Sequence, residues 1–249
     1  MNGKLIVVAG TLLALIMDPA WSTLIDNGDG TFTDTSSNLM WLIDANYAKT
    51  SGYDDDGYMN WYEATSWAEN LVYAGYDDWR LPIVHDVGND GCDALLSSDP
   101  RRDFSGGDCG FNTDTSLSEF AHLFHDVLGN GSYTNPDGST NTDCISPQIC
   151  LMHTSADGVQ ILNFQLYPYW LGPEYAADPD TAWAFYVDIG FQYYVARVFD
   201  TSGGGPVAWA VRDIGTGTGT PPSVPAAEPT SILLMCAGMM GLVRRGRRH

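Results

Sequence analysis

The segment NWYEATSWAENLVYAG, residues 60–75, carries the pattern of an amphipathic helix and sets the class of the fold. Asn60 is a capping residue, and Glu63 follows three positions later, as in a capping box. Apolar residues recur at helical spacing and Gly75 follows them; they occupy positions 61, 64, 67, 68, 71 and 72. The spacing predicts a helix that begins after Asn60 and ends before Gly75.

Strands are predicted in front of this helix. Asn-Gly and Asp-Gly at residues 27–30 favour a tight turn because these residue types tolerate positive φ. Residues 23–26 and 31–33 are therefore expected to form a hairpin, followed by a strand at 39–43.

The second half of the chain predicts another helix and more strands. In TSLSEFAHLFHDVLGNG, residues 115–131, Ser116 and Glu119 have the spacing of a capping box, and Gly129 ends an apolar stripe. His122 and His125 could share a metal, but surface positions beside Asp126 require no ligand. Residues 183–189, 192–199 and 207–212 are predicted as three adjacent antiparallel strands.

The overall prediction is one α+β domain over residues 23–214, with two amphipathic helices and antiparallel strands. The order of DNGDGTFTD, LMWL, DANYAKTSGYDDDG and DDWRLP resembles the Lcl C-terminal domain family, and the resemblance extends over residues 25–213. This resemblance implies a secreted or surface bacterial domain of C-type-lectin-like or formylglycine-generating-enzyme-like architecture, without established catalytic residues. Within DDWRLP, Trp79 and Leu81 are expected in the core and Arg80 in a salt bridge.

Charge restricts the partners of this domain. Residues 23–223 contain 29 acidic and six basic residues, which gives a formal charge of −23. The named member of the family binds glycosaminoglycans through basic surface, whereas such an acidic chain repels sulfated polymers and nucleic acid. Divalent cations, basic partners and neutral glycans remain compatible with this negative charge.

Both ends of the sequence indicate export. Lys4, the apolar run 5–17 and small residues before a cut after Ser22 predict a signal peptide at 1–22. A Gly/Thr/Pro linker is expected at 215–224, because its composition offers nothing to bury.

The segment 225–249 resembles a PEP-CTERM sorting signal. Its apolar run, 232–243, would reach roughly 18 Å as a helix, against about 30 Å of hydrocarbon. The resemblance implies transient contact with the inner membrane, processing by an exosortase-type protease and delivery to the cell surface or extracellular matrix. A permanent anchor is the alternative. The residues that carry the signal are Pro225, Glu228, Pro229, Arg244, Arg245, Arg247 and Arg248.

Cysteine usage agrees with export. Apart from the tail, the chain has four cysteines, an even number that is expected to oxidise outside the cytoplasm. Four cysteines allow three pairings, and proximity favours Cys92 with Cys109 and Cys144 with Cys150. A zinc site is the alternative, although neither spacing is that of a zinc knuckle.

Two binding sites are candidates. Asp54, Asp56 and Glu63 align with calcium-loop positions around Gly57, but Gly52 replaces the first carboxylate, so binding would be weak. The alternative is that these are solvated loop acids and that Glu63 caps the helix. No other cofactor is predicted. A glycan surface is the second candidate, and core positions are the alternative for its members, Trp170, Glu174, Tyr175 and Trp183.

The sequence predicts no enzyme, because no GxSxG, HExxH, phosphate loop or Cys-His arrangement is present. We expect an exported interaction or adhesion module that binds a glycan or matrix component, with exopolysaccharide or a surface partner as ligand. The alternatives are a structural or solubilising matrix component without a specific ligand, and a carbohydrate-active enzyme.

Overall fold

Eight short strands form two four-stranded sheets in the part of the chain that the structure describes. This computed structural model covers residues 24–87, 92, 107–144, 154–198 and 201–215. The first sheet contains, in spatial order, β1 (Leu24–Asp26), β2 (Thr31–Asp34), β3 (Leu39–Leu42) and β8 (Val211–Asp213). The second contains β4 (Gly110–Phe111), β7 (Phe191–Ala196), β6 (Thr181–Tyr186) and β5 (Pro168–Glu174), again in spatial order. Neighbouring strands are antiparallel throughout.

The predicted hairpin is confirmed. Strand β1 pairs with β2, and Leu24 faces Asp34 across the ladder. Gly30 in the connecting turn has a φ of +88°, and a Cβ at this position would lie 2.0 Å from the hydroxyl oxygen of Tyr73. Glycine is therefore required both by the backbone conformation and by the close approach of a side chain.

The first predicted helix exists but is shorter than expected. Helix α2 (Trp61–Glu69) begins with the predicted capping box between Asn60 and Glu63. It follows the four-residue helix α1 (Tyr47–Thr50). The helix ends at Glu69 because Tyr73 and Tyr76 exchange backbone hydrogen bonds and turn the chain. Val72, predicted on the buried stripe, is consequently 73% exposed.

The second predicted helix begins at a different residue. Ser118, not Ser116, caps α3 (Glu119–Ala121) by accepting a hydrogen bond from Ala121 N. The predicted capping box is wrong because Glu119 instead binds the side chain of Arg80. The helix continues as a π-helical segment, His122–Val127, and short 3-10 turns occupy Thr142–Cys144 and Thr201–Gly203.

The three predicted C-terminal strands do not lie side by side. β6 and β7 pair as expected. Residues 207–212 instead cross between the sheets: Val207 forms a bridge with Tyr169, and β8 pairs with β3 in the first sheet. The segment 207–211 is fully buried, so its placement is set by packing on both sides.

Large aromatic side chains fill the space between the sheets and around the helices. This confirms the prediction of a mixed α and β fold with mostly antiparallel strands. Trp79 and Leu81 are buried, as expected. The largest fully buried side chains are Trp41, Trp79, Trp170, Trp183, Trp209, Tyr169, Phe32, Phe120, Phe124, Phe185, Leu42 and Met59.

A disulfide joins Cys92 to Cys109, as predicted. Cys144 is also disulfide-bonded, while Cys150 lies outside the described residues. The signal peptide, residues 216–224 of the linker and the sorting segment 225–249 lie outside them as well. Among the residues that the structure does describe, no helix has the length and apolar character needed to cross a membrane.

Candidate functional site

An aromatic and charged cluster with two exposed members, Tyr62 and Glu174, lies at the start of α2. It consists of Trp61, Tyr62, Arg197 and Glu174, and is called the Tyr62 cluster below. The backbone N–H of Trp61 donates to the carbonyl of Arg197 at 3.0 Å, which joins the helix to the end of β7. Glu174 ends β5, which is separated from β7 by β6 in the second sheet. Three elements distant in sequence therefore meet at this point.

Arg197 is held in place by its neighbours. Its guanidinium carbon lies 5.1 Å from the ring centroid of Tyr62 and 5.5 Å from that of Trp61, within cation–π range. Its Nη1 donates to Oε1 of Glu174. The guanidinium is mostly buried, whereas Tyr62 is 49% exposed and the side chain of Glu174 is 54% exposed. The cluster thus presents an aromatic ring and a carboxylate to solvent around a fixed cation.

The structure corrects most of the predicted glycan surface. Trp170 and Trp183 have 0% exposure, so neither ring can stack on a sugar. Tyr175 is also buried, and its hydroxyl accepts a hydrogen bond from Cys92 N. These strands pack on both faces, which turns their aromatic residues into core. Only Glu174 of the predicted group belongs to an exposed cluster.

Sequence reasoning missed Tyr62 and Arg197. Tyr62 could have been predicted as an exposed residue, because it is an aromatic residue on the polar side of an amphipathic helix. Arg197 is one of only six basic residues in the domain, but its neighbour Glu174 lies 23 positions away in sequence. Proximity of this kind follows from the pairing of both β5 and β7 with β6, and it leaves no local sequence pattern.

A small pocket lies at the other end of α2. It has a volume of about 200 Å³ and is called the Tyr53 pocket. Tyr53, on its rim, is 57% exposed, while Trp67 is buried. The lining combines rings with hydroxyl and amide groups: Tyr47, Ser51, Tyr53, Trp67, Asn70, Leu71 and Val72.

The predicted calcium acids serve the backbone in this structure. Asp54 Oδ1 accepts from the N–H groups of Asp56 and Gly57, and Asp56 Oδ1 accepts from Tyr58 N. Glu63 Oε2 accepts from Asn60 N in the capping box. Within the described ranges, the group of potential metal ligands that converges is Cys92, Asp108 and Cys109. Its two sulfurs already form a disulfide, so this group does not offer thiolates to a metal.

His122 lines a larger cavity of about 370 Å³. His122 Nε2 lies 2.8 Å from Ser36 Oγ, and Nδ1 lies 3.0 Å from Asp126 Oδ2. These contacts have the connectivity of a nucleophile, a base and an orienting carboxylate. Ser36, however, donates its single hydroxyl hydrogen to Asp34 at 2.6 Å. Its oxygen therefore accepts from His122, and the adjacent carboxylate opposes formation of a serine alkoxide.

His122 and His125 do not share a ligand position. His125 Nδ1 donates to the carbonyl of Asn130 at 2.9 Å, and burial lowers the pKa of its imidazole. His122 lies between Asp34 and Asp126, and the hydrogen bond with Asp34 raises its pKa against the opposing effect of burial. Burial alone would raise the pKa of Asp34, but hydrogen bonds from His122 and two serines lower it.

The His122 contacts predict a stability that falls with rising pH. The pKa of His122 is raised in the folded state. Its contribution to the free energy of unfolding is therefore complete below about pH 6.5, and it is lost as the pH rises through the pKa of the folded protein. The slope of unfolding free energy is at most about 1.4 kcal/mol per pH unit in this window. Urea titrations between pH 6 and 9 should show it.

His122→Gln should remove this slope above pH 6.5, measured as the difference from the wild-type protein. His125→Gln is the matched control. Because the pKa of His125 is lowered in the folded state, its titration changes the free energy of unfolding below pH 6.5. Equal slopes in the wild-type and His122→Gln proteins would contradict the assignment.

One comparison with known proteins finds a similarity over part of the chain. Residues 30–88 match the family model of the Lcl C-terminal domain. The matched segment includes β3, both helices α1 and α2, the Tyr53 pocket and Arg80. This match supports the family resemblance and is consistent with a bacterial extracellular or surface-related domain. No curated protein and no solved structure shows significant similarity.

Proposed function

We propose that the chain is an exported, surface- or matrix-associated interaction domain that binds a neutral polysaccharide through the Tyr62 cluster. The proposal includes sorting by an exosortase-type protease after transient contact with the inner membrane. It also includes the C-type-lectin-like or formylglycine-generating-enzyme-like arrangement that the resemblance implies. The observation that supports a polysaccharide ligand is that the Tyr62 ring and the Glu174 carboxylate are both exposed.

The chemistry of this cluster suits a sugar. A ring face offers an apolar platform, and a carboxylate accepts hydrogen bonds from hydroxyl groups. The fixed guanidinium of Arg197 keeps both partners in place, so little side-chain freedom is lost on binding. Tyrosine, tryptophan and arginine are also the residue types that dominate binding energy in protein interfaces.

Charge pairing supports a neutral ligand over a sulfated one. Each arginine in the described part of the chain already has a carboxylate partner: Arg80 binds Glu119 and Asp213, Arg197 binds Glu174, and Arg212 binds Asp78. A sulfate group would have to displace one of these carboxylates within a strongly acidic domain. Neutral polymers face no such competition.

We propose a non-catalytic role. The contacts of Ser36 with Asp34 argue against a serine nucleophile, and Glu174, the carboxylate of the Tyr62 cluster, is already bound to the guanidinium of Arg197. A carbohydrate-active enzyme would release reducing ends from a polysaccharide during incubation. A structural or solubilising matrix component would show no saturable binding at all.

The test is binding of the purified protein to matched polymers by isothermal titration calorimetry. The panel comprises dextran and dextran sulfate as a neutral and sulfated pair, with amylose and galactomannan as further neutral polymers. At least one neutral polymer should bind saturably and dextran sulfate should not. Tyr62→Ala should weaken binding about fivefold or more, because truncating a central aromatic contact costs over about 1 kcal/mol.

Tyr133→Ala is the control for this variant. Tyr133 is exposed to a similar extent, at 42%, but its backbone binds Ile189 at the turn between β6 and β7. It should bind like the wild-type protein. Absence of binding to every neutral polymer, or equal affinity of the Tyr62→Ala and wild-type proteins, would overturn the proposal.

A further inference from the structure

The solvent-facing side of α2 connects the Tyr62 cluster with the Tyr53 pocket. Residues 61, 64, 67 and 68 face the core, and the opposite side is polar and exposed. Tyr62, Ser66 and Asn70 follow one another at four-residue intervals, so they lie along the same side of the helix. Asn70 caps the end of α2 and also lines the Tyr53 pocket.

The two sites are separated by a short distance along this side. Eight residues from Tyr62 to Asn70 correspond to about 12 Å at 1.5 Å per residue. An aromatic ring is exposed at each end, Tyr62 at one and Tyr53 at the other. The stretch between the two rings carries hydroxyl, carboxylate and amide groups from Ser66, Glu69 and Asn70.

Asn70 can contribute to the ligand without losing its structural role. Its Nδ2 donates to the carbonyl of Ser66 at 2.8 Å, which orients the side chain at the helix end. The amide oxygen is then the group that it offers to a hydroxyl. Ser66, one turn earlier, is exposed and can bind a hydroxyl as donor or acceptor.

We propose that the Tyr62 cluster and the Tyr53 pocket are two subsites of one binding strip, which takes a linear neutral oligosaccharide long enough to reach both. This inference rests on the proposed function and specifies its ligand. A linear saccharide repeats an apolar ring face and hydroxyl groups along its length, which matches a strip with rings at both ends and polar groups between them. The acidic residues on and beside the strip, Glu63, Glu69 and 54–56, disfavour a polyanion.

Two linked subsites predict that affinity depends on chain length. A short saccharide occupies one subsite. A longer saccharide that is bound at one subsite reaches the other within the same complex, which raises its affinity. The probes are di- and hexasaccharides of the polymer series tested above: isomalto-oligosaccharides for dextran, malto-oligosaccharides for amylose and manno-oligosaccharides for galactomannan. We expect the hexasaccharide to bind at least tenfold more tightly than the disaccharide in the series whose polymer binds.

The variants separate the subsites. Tyr53→Ala should abolish the gain in affinity from the disaccharide to the hexasaccharide, while Tyr62→Ala should weaken binding of both ligands. Tyr133→Ala again serves as the control. Thermal unfolding of each variant checks that the fold is intact, which is expected because Tyr53 is exposed.

The outcomes distinguish this inference from the proposed function. The binding strip is wrong if a polymer binds but its di- and hexasaccharides have equal affinities. It is also wrong if Tyr53→Ala keeps the full gain in affinity with chain length. In either case the proposed single site at Tyr62 remains. If no neutral polymer or oligosaccharide binds, the proposed function fails and the strip fails with it.

Discussion

Replacing Trp209 by alanine is expected to lower the free energy of unfolding by about 3–5 kcal/mol. Trp209 is fully buried, and its Nε1 donates to the carbonyl of Leu42 at 2.8 Å. The variant leaves a cavity between the sheets and an unpaired carbonyl. Five aromatic rings lie at centroid distances of 5.1–6.3 Å from Trp209: Phe32, Trp41, Phe120, Phe164 and Tyr169.

Urea denaturation of the oxidised protein, followed by circular dichroism, measures this loss. Trp209→Phe should cost less, because a ring remains in the same position while the indole hydrogen bond is lost. Val72→Ala is the surface control and should change stability by no more than about 0.5 kcal/mol. A loss below about 1 kcal/mol for Trp209→Ala would show that this residue does not connect the two sheets.

Replacing Arg80 by methionine is expected to lower the free energy of unfolding by about 2–3 kcal/mol. Its guanidinium forms a two-bond pair with Glu119, at 2.7 and 2.8 Å, and a further contact with Asp213 at 3.0 Å. Removing one partner of a buried ion pair costs about 3–5 kcal/mol, and partial exposure of these groups reduces the value. The substitution leaves the carboxylate of Glu119 without its cation in a mostly buried position.

A double-mutant cycle isolates this interaction. Glu119→Gln in the Arg80→Met background should cost less than in the wild-type protein, because no uncompensated charge then remains. Arg80→Lys should recover only part of the stability, since an ammonium cannot make the forked pair. Lys49→Met is the exposed control. Additive losses in the cycle would contradict a direct contribution of the pair.

Arg80 also shows how far local sequence reasoning reaches. The pattern predicted that Trp79 and Leu81 enter the core and that Arg80 binds a carboxylate, and both are confirmed. The partners could not be predicted, because Glu119 and Asp213 lie 39 and 133 residues away. An acidic chain offers many carboxylates, and the pairing of β8 with β3 decides which one approaches.

The strands illustrate a second limit. β5 is not among the predicted strands; it contains Gly172 and Pro173, and its register with β6 shifts between Trp170 and Glu174. The missed strand explains why Trp170 belongs to the core, whereas Trp183 lies on the predicted strand β6 and is buried because that strand packs on both faces. Once β5 enters the second sheet, its aromatic residues become core, and the exposed group moves to Tyr62 and Arg197.

Sequence patterns alone predict the features whose partners lie nearby along the chain. These are the hairpin of β1 and β2, the capping box of α2, and the disulfide between Cys92 and Cys109, which form through turn geometry, helical periodicity and short loop closure. The folded arrangement of the whole chain was needed to show which sheet contains β8, which aromatic rings are buried and which cluster faces solvent. Those outcomes depend on contacts between segments far apart in sequence, and the burial of a ring is fixed by all the elements that pack around it.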